Sequence, residues 1–291
     1  LQKKYNTKGL HISNAIQTNG TCLDEKWAEF LKENNFLVGI SLDGTGFIHD
    51  RFRVDGQGEG SFVRVMEGIG LLKKYGVDFN ILTVVHAMTA KKTTQIYDFY
   101  KQNGFTYLQF IPCLNPIARE QERFAYTLTP KAYGHFLKTL FDLWYNDLKS
   151  GVIVHIQQFE EYVKMFLLMP ANVCGMNGVC SCQHVVEADG EVYPCDFYVL
   201  DGYRLGSLNE VSFDRINEKR KEIRFIEESA RMHEDCRHCK YAPICRGGCR
   251  RHRMPKNCFC MSYYEFFDYV IHRLEEAAAL FQNACGDILH R

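Results

Sequence analysis

The sequence predicts an α/β protein: a parallel sheet built from βαβ units, followed by a cysteine-rich region with short strands of its own. Three observations carry this. Over residues 1–150, β-rich runs alternate with stretches of helical apolar period. Ten of the thirteen cysteines fall between Cys174 and Cys260, where even scatter would place about four. After Cys174 the apolar runs shorten, and Asp189-Gly190 between two of them is a hairpin turn signal.

The elements follow in order. Residues 16–20 close a first strand, and a helix follows with Trp27, Phe30 and Leu31 at i, i+3, i+4. Residues 37–42 form the next strand. The glycine-rich run 56–60 lacks a following Lys-Ser/Thr, so it is no phosphate loop and reads as a flexible loop. A helix from about Ser61 carries Phe62, Val65, Met66, Ile69 and Leu72 on one face and ends at Gly76, a left-handed cap. Residues 79–85 are a third strand, a helix stops at Gly104, and residues 107–111 are a fourth strand. Thr129 then caps a long helix with Pro130 in its first turn and a stripe of Tyr133, Phe136, Leu137, Leu140, Phe141 and Trp144. Residues 151–173 read as a connector, 151–169 with a strand–helix pattern. Residues 185–188 and 191–194 are short strands. From about Ser262 to Ala284 an amphipathic helix turns Tyr264, Phe267, Ile271, Leu274 and Phe281 inward. The expected domains are 1–150, the connector 151–173, a cysteine domain 174–275 and a helix end 276–291.

Composition narrows the function classes. The 35 basic side chains equal the 35 acidic ones, so charge predicts neither nucleic acid nor a membrane as partner. No apolar run reaches the ~18 residues of a membrane span. The residues from Leu1 do not read as a signal peptide, and a reducing, cytoplasmic setting is expected. Disulfides are therefore the weaker reading of the cysteines.

Parallel sheets place chemistry at the carboxyl ends of strands. Gln17, Thr18, Asn19, Ser41, Asp43, Thr83 and Pro112-Cys113-Leu114 are thus expected to rim one face, although each also fits a plain loop role. The cysteines show three spacings: Cys180-x9-Gly190-x4-Cys195, then Cys236-x2-Cys239-x5-Cys245-x3-Cys249, then Cys258 or Cys260. Thiolates at such spacing bind zinc or iron–sulfur clusters, with four thiolates per site as the usual count. Seven or eight cysteines would make two sites. Residues 214–256 hold thirteen Lys/Arg against seven Asp/Glu, which suits an anionic centre of either kind or a solvated basic face.

This cysteine layout resembles the SPASM signature of radical S-adenosylmethionine enzymes, and within them the anaerobic sulfatase-maturating enzymes. Supporting text is Gln17-Thr18-Asn19-Gly20-Thr21, Gly39-Ile40-Ser41-Leu42-Asp43-Gly44, His49-Asp50-Arg51-Phe52-Arg53, Gln109-Phe110-Ile111-Pro112-Cys113-Leu114 and Tyr193-Pro194-Cys195-Asp196. The resemblance implies a partial (β/α)6 barrel missing its first strands, then a SPASM domain with two auxiliary 4Fe–4S clusters. It implies that one cluster takes Cys174, Cys180, Cys195 and Cys249. The other takes Cys236, Cys239, Cys245 and, in preference to Cys258, Cys260. Ser41, Arg53 and Leu114 would contact S-adenosylmethionine, with Arg53 on its carboxylate. Apart from the resemblance, Arg53 reads as an ordinary surface arginine.

The implied reaction oxidises a cysteine or serine of a sulfatase polypeptide to formylglycine. A 5′-deoxyadenosyl radical removes a Cβ hydrogen, Asp196 takes the side-chain proton, and an auxiliary cluster accepts an electron. A flavodoxin or ferredoxin would be the reductant. The family opens with Cys-x3-Cys-x2-Cys, which holds a third 4Fe–4S cluster, and this triplet is absent here. The expectation is therefore a chain that starts partway into a full-length protein and is inactive by itself. The alternatives are another SPASM peptide-modifying enzyme, such as a thioether former, an electron-transfer module without radical chemistry, or a zinc protein.

Overall fold

The computed structural model describes residues 2–117 and 119–285. It divides into two compact units, Leu1–Glu160 and Glu161–Arg291. After a short helix α1 (Gln2–Tyr5), the first unit is built on five parallel strands: β1 (Asn14–Thr18), β2 (Phe36–Ser41), β3 (Phe79–Val85), β4 (Tyr107–Pro112) and β5 (His155–Ile156). They lie in sequence order, with Gln17 opposite Gly39, Gly39 opposite Asn80 and Leu82 opposite Gln109. Sequential order with one hand of crossover keeps the connecting helices on one face, which is barrel winding rather than a doubly wound sheet.

The helices start and stop where side chains dictate. In α2 (Glu25–Glu33) the Asp24 carboxylate accepts the Trp27 N–H at 2.8 Å. A one-turn α3 (Gly46–His49) precedes α4 (Phe62–Tyr75), which buries Val65, Ile69 and Leu72 and ends on Gly76 at φ 65°, ψ 34°. Only glycine adopts that left-handed cap without strain. Two further helices, α5 (Ala87–Lys91) and α6 (Thr93–Gln102), lead to β4. In α7 (Pro130–Lys149) the Thr129 hydroxyl accepts the Ala132 N–H at 3.2 Å and the whole predicted stripe is buried. Its Trp144 donates its indole N–H to the Val154 carbonyl at 2.9 Å, so a large buried ring has its one polar atom satisfied.

The first unit departs from expectation in two places. Trp27 and Phe30 are 48% and 46% exposed, so α2 buries only Ala28 and Leu31. The glycine-rich run is a built turn: Val54 bridges Gly60, and Asp55 Oδ1 accepts the Gln57 and Glu59 N–H groups at 2.9 and 3.0 Å.

Helix α8 (Gln157–Phe166) crosses the division into the second unit, where α9 (Cys174–Asn177) follows. Three short antiparallel strands come next: β6 (Val185–Val186), β7 (Glu191–Tyr193) and β8 (Gly206–Ser207), the last too brief for periodicity to show. Val192 and Leu205 pack on Ile216 of α10 (Phe213–Glu222). Then come α11 (Phe225–Ser229), α12 (Ala242–Cys245) and α13 (Cys260–Cys285). Phe266, Phe267, Val270 and Leu274 of α13 are buried, and the Tyr162 ring packs against the first two, tilted at 5.7 Å and edge-on at 5.0 Å. Tyr264, expected inside, is 39% exposed, and the Phe281 side chain lies outside the described residues.

Candidate metal and cofactor sites

In the first unit the loop after β2 closes on itself. Asp43 is buried and its carboxylate accepts from Arg53 Nε at 2.5 Å and Nη2 at 3.3 Å, and from the Val84 N–H at 2.8 Å. The Asp43 N–H donates to His49 Nδ1 at 3.2 Å. Ser61 Oγ donates to the Arg53 carbonyl at 2.8 Å, which leaves His49 Nε2–H to donate to Ser61 Oγ at 3.0 Å. This fixes a neutral His49, and burial holds it below the usual imidazole range. Arg53 is therefore no free surface arginine. It is a forked cation oriented by Asp43, with its side chain still 26% exposed.

Ser41 and Leu114 are half-buried near the same strand ends. Gln17 and Asn80 flank Gly39, on the sheet face away from the helices. Thr83 does not join the rim. It is 1% exposed, with Oγ1 bonded to the Leu42 carbonyl at 3.0 Å and 2.7 Å from the Tyr100 hydroxyl of α6, because strand alternation turns it toward the helices. His86, which caps α5, was not among the expected rim residues. Its Nδ1 accepts the Met88 N–H at 3.2 Å, and its buried Nε2 has no hydrogen-bond partner among the described residues. Its place directly after β3 was the available signal.

In the second unit the ten cysteines from Cys174 to Cys260 are free thiols. Mutual charge separates them into two groups. Cys249 acts on Cys195 and is itself acted on by Cys180 and Cys174. A Cβ at Gly175 would lie 3.3 Å from Cys249 Cβ, so the Cys174 segment sits against it. Cys236, Cys239, Cys245 and Cys260 form the other group and line one cavity of about 580 Å³ with Tyr241, Tyr264 and Phe267. Cys258 is exposed and is not on that wall. Among the described residues, no three or more His, Cys, Asp or Glu side chains converge at single-ion spacing.

Burial pushes Cys195 up to about 12 and Cys245 up to about 11, with neighbouring thiols adding to the effect. Backbone N–H groups work the other way: the Arg251 N–H points at Cys249 Sγ at 3.4 Å. Buried soft thiols that are costly to ionise alone suit a multi-iron centre, whose positive charge offsets theirs. Asp196 opens a one-turn 3-10 helix, Asp196–Tyr198, and is exposed. The Cys195 thiol donates to its Oδ1 at 3.3 Å.

Residues 174–240 match the SPASM family, an iron-sulfur cluster-binding domain. The cysteine-type anaerobic sulfatase-maturating enzyme of Clostridium perfringens (strain 13) is 47% identical over 285 residues, 96% of this chain and 77% of that one. The chain belongs to the anaerobic sulfatase-maturating enzymes. This is a radical S-adenosylmethionine family with a SPASM domain. A serine-type member from Bacteroides thetaiotaomicron is 32% identical, over 93% of this chain and 70% of that one. The structure of native anSMEcpe with bound AdoMet and Cp18Cys peptide is 47% identical with a TM-score of 0.92, over 96% of this chain and 79% of that one. The sheet order and the small antiparallel sheet are those of that family.

Proposed function

We propose that this chain takes part in the oxidation of a cysteine in a sulfatase polypeptide to formylglycine. The observation that carries the reading is Asp196, an exposed carboxylate bonded to the thiol of a cysteine in the first group. The identity to cysteine-type relatives and the peptide in a related structure support it.

Ser41, Arg53 and Leu114 would hold S-adenosylmethionine. Asp43 presets the Arg53 fork for the carboxylate of that cofactor, which cuts the ordering cost of binding. Cys174, Cys180, Cys195 and Cys249 would hold one 4Fe–4S cluster, and Cys236, Cys239, Cys245 and Cys260 the other. When bound, S-adenosylmethionine, cleaved with an electron from the third 4Fe–4S cluster that the family resemblance implies for the full-length protein, would supply hydrogen-atom abstraction, and an auxiliary cluster would supply electron acceptance. The substrate loses a Cβ hydrogen atom, its thiol proton and one electron. Water then hydrolyses the resulting thioaldehyde to the aldehyde, with loss of hydrogen sulfide. Asp196 takes the proton from its exposed position beside Cys195. The partners are the sulfatase and an electron carrier of the flavodoxin or ferredoxin type, in the cytoplasm. The barrel part would be 1–150, the connector 151–173 and the cluster domain 174–275.

The test uses the protein with whatever its gene encodes before Leu1, loaded anaerobically with iron and sulfide. It should convert a cysteine-containing sulfatase peptide to the aldehyde, read by mass spectrometry. Asp196→Asn should slow conversion by about 10²–10⁴-fold at unchanged iron content. An Asp196→Asn enzyme as fast as the unaltered one would remove Asp196 from the mechanism. Conversion of a serine peptide alone would reassign the substrate.

A further inference from the structure

The guanidinium of Arg253 reaches six backbone carbonyls. Nε donates to Gly247 O at 3.1 Å. Nη1 donates to Ser229 O at 2.7 Å and Arg231 O at 3.1 Å. Nη2 donates to Gly178 O at 2.7 Å, Arg246 O at 3.3 Å and Gly248 O at 2.5 Å. These carbonyls come from three separate stretches of chain. Gly178 lies between Cys174 and Cys180. Arg246, Gly247 and Gly248 lie between Cys245 of one thiol group and Cys249 of the other. Ser229 continues the connection, since its hydroxyl accepts the Cys180 N–H at 2.8 Å.

The loops it ties together also touch directly. Gly178 has φ +73°, and a Cβ there would lie 2.3 Å from the Arg246 carbonyl oxygen. Arg246 Nη1 donates to Asn177 Oδ1 at 3.3 Å, and Asn257 Nδ2 donates to Gly247 O at 3.0 Å.

We propose that Arg253 is the positioning residue that couples the two thiol groups: by fixing the 174–180 loop against the 245–249 loop, it makes the filling of one group build the other. This rests on the reading of the two groups as cluster sites. A fork of five N–H donors in a plane can serve loops on several sides at once, whereas a lysine offers three donors from one point.

The test is anaerobic reconstitution of the full-length protein with limiting iron and sulfide. Iron per chain, the electron paramagnetic resonance signals and the midpoint potentials are the readouts, and circular dichroism verifies folding. The unaltered protein should fill both sites or neither, and Cys239→Ala should reduce loading at the first group as well as its own. In Arg253→Gln, total loading should fall and the two sites should fill independently. Both potentials should shift negative, because a positive charge near both anionic centres is gone. Arg253→Lys should restore the potentials but not the joint filling. Wild-type loading and potentials in Arg253→Gln, a change confined to one signal, or full rescue of joint filling by lysine would each overturn the proposal. Unaltered protein that takes up no iron would instead overturn the cluster reading beneath it.

Discussion

The two units are held together by different physics. The first buries rings and branched aliphatics between a parallel sheet and the helices on one of its faces, with Trp144, Phe136, Phe141 and Phe159 among its fully buried side chains. The second has strands of two or three residues whose small core is centred on Val192, Leu205 and Ile216, and α13 buries a separate apolar face. Its cysteine loops are fixed largely by polar contacts, above all those of Arg253 to main-chain carbonyls. The lesson is that apolar burial suffices for the first unit, whereas the cysteine loops need further ties, which the proposed clusters would supply.

The largest effect should come from stripping iron from the loaded protein with a chelator. Limited proteolysis should then cut within residues 174–260 while the sheet-bearing part stays resistant, because ligation free energy is folding free energy for such loops. Equal resistance of both regions after stripping would break the contrast. The next effect belongs to the first unit. Trp144→Ala removes a fully buried ring and orphans the Val154 carbonyl, so it should cost about 3–5 kcal/mol in urea unfolding. Iron bound per chain should be unchanged, and a fall in iron would show that the units do not divide as described.

The smallest effect sharpens the comparison by pH. Burial depresses His49, with Arg53 adding to this and Asp43 and Asp50 opposing it. The fold thus holds His49 neutral, so the unfolded chain takes up more protons. Stability it contributes is complete above pH ~6.5 and declines as pH falls below that value. The melting temperature of the first unit should drop between about pH 7.5 and 5.5, and His49→Gln should flatten the slope. An unchanged slope would take His49 out of the account.

What the sequence made legible follows from this same division. The strand at 79–85, the Thr129 cap and the Gly76 cap were readable because period, capping and handedness are local properties. Alternation predicted a parallel sheet of about four βαβ units, and the sequential order of its five strands came only with the structure. β8 was invisible because two residues carry no period. Trp27 and Phe30 fit the helical stripe, yet periodicity reports a face and not what covers it. The Asp43–Arg53 pair joins residues across a loop whose path had to be seen. The placement of Cys260 on the cavity wall, with Cys258 off it, turns on one helical start at Cys260. Arg253 was the least legible, since its partners are carbonyl oxygens that every residue type possesses.

The Trp144 lock has an optical consequence. The chain has two tryptophans, and both belong to the first unit. Trp144 is dry and donates to a carbonyl, whereas Trp27 is about half in water. Indole fluorescence should therefore carry a blue component that vanishes when the sheet unit melts and a red component that barely moves. Neither indole belongs to the cysteine loops, so their disorder can be followed by iron absorbance while the emission reports, unlabelled, on the other half of the molecule.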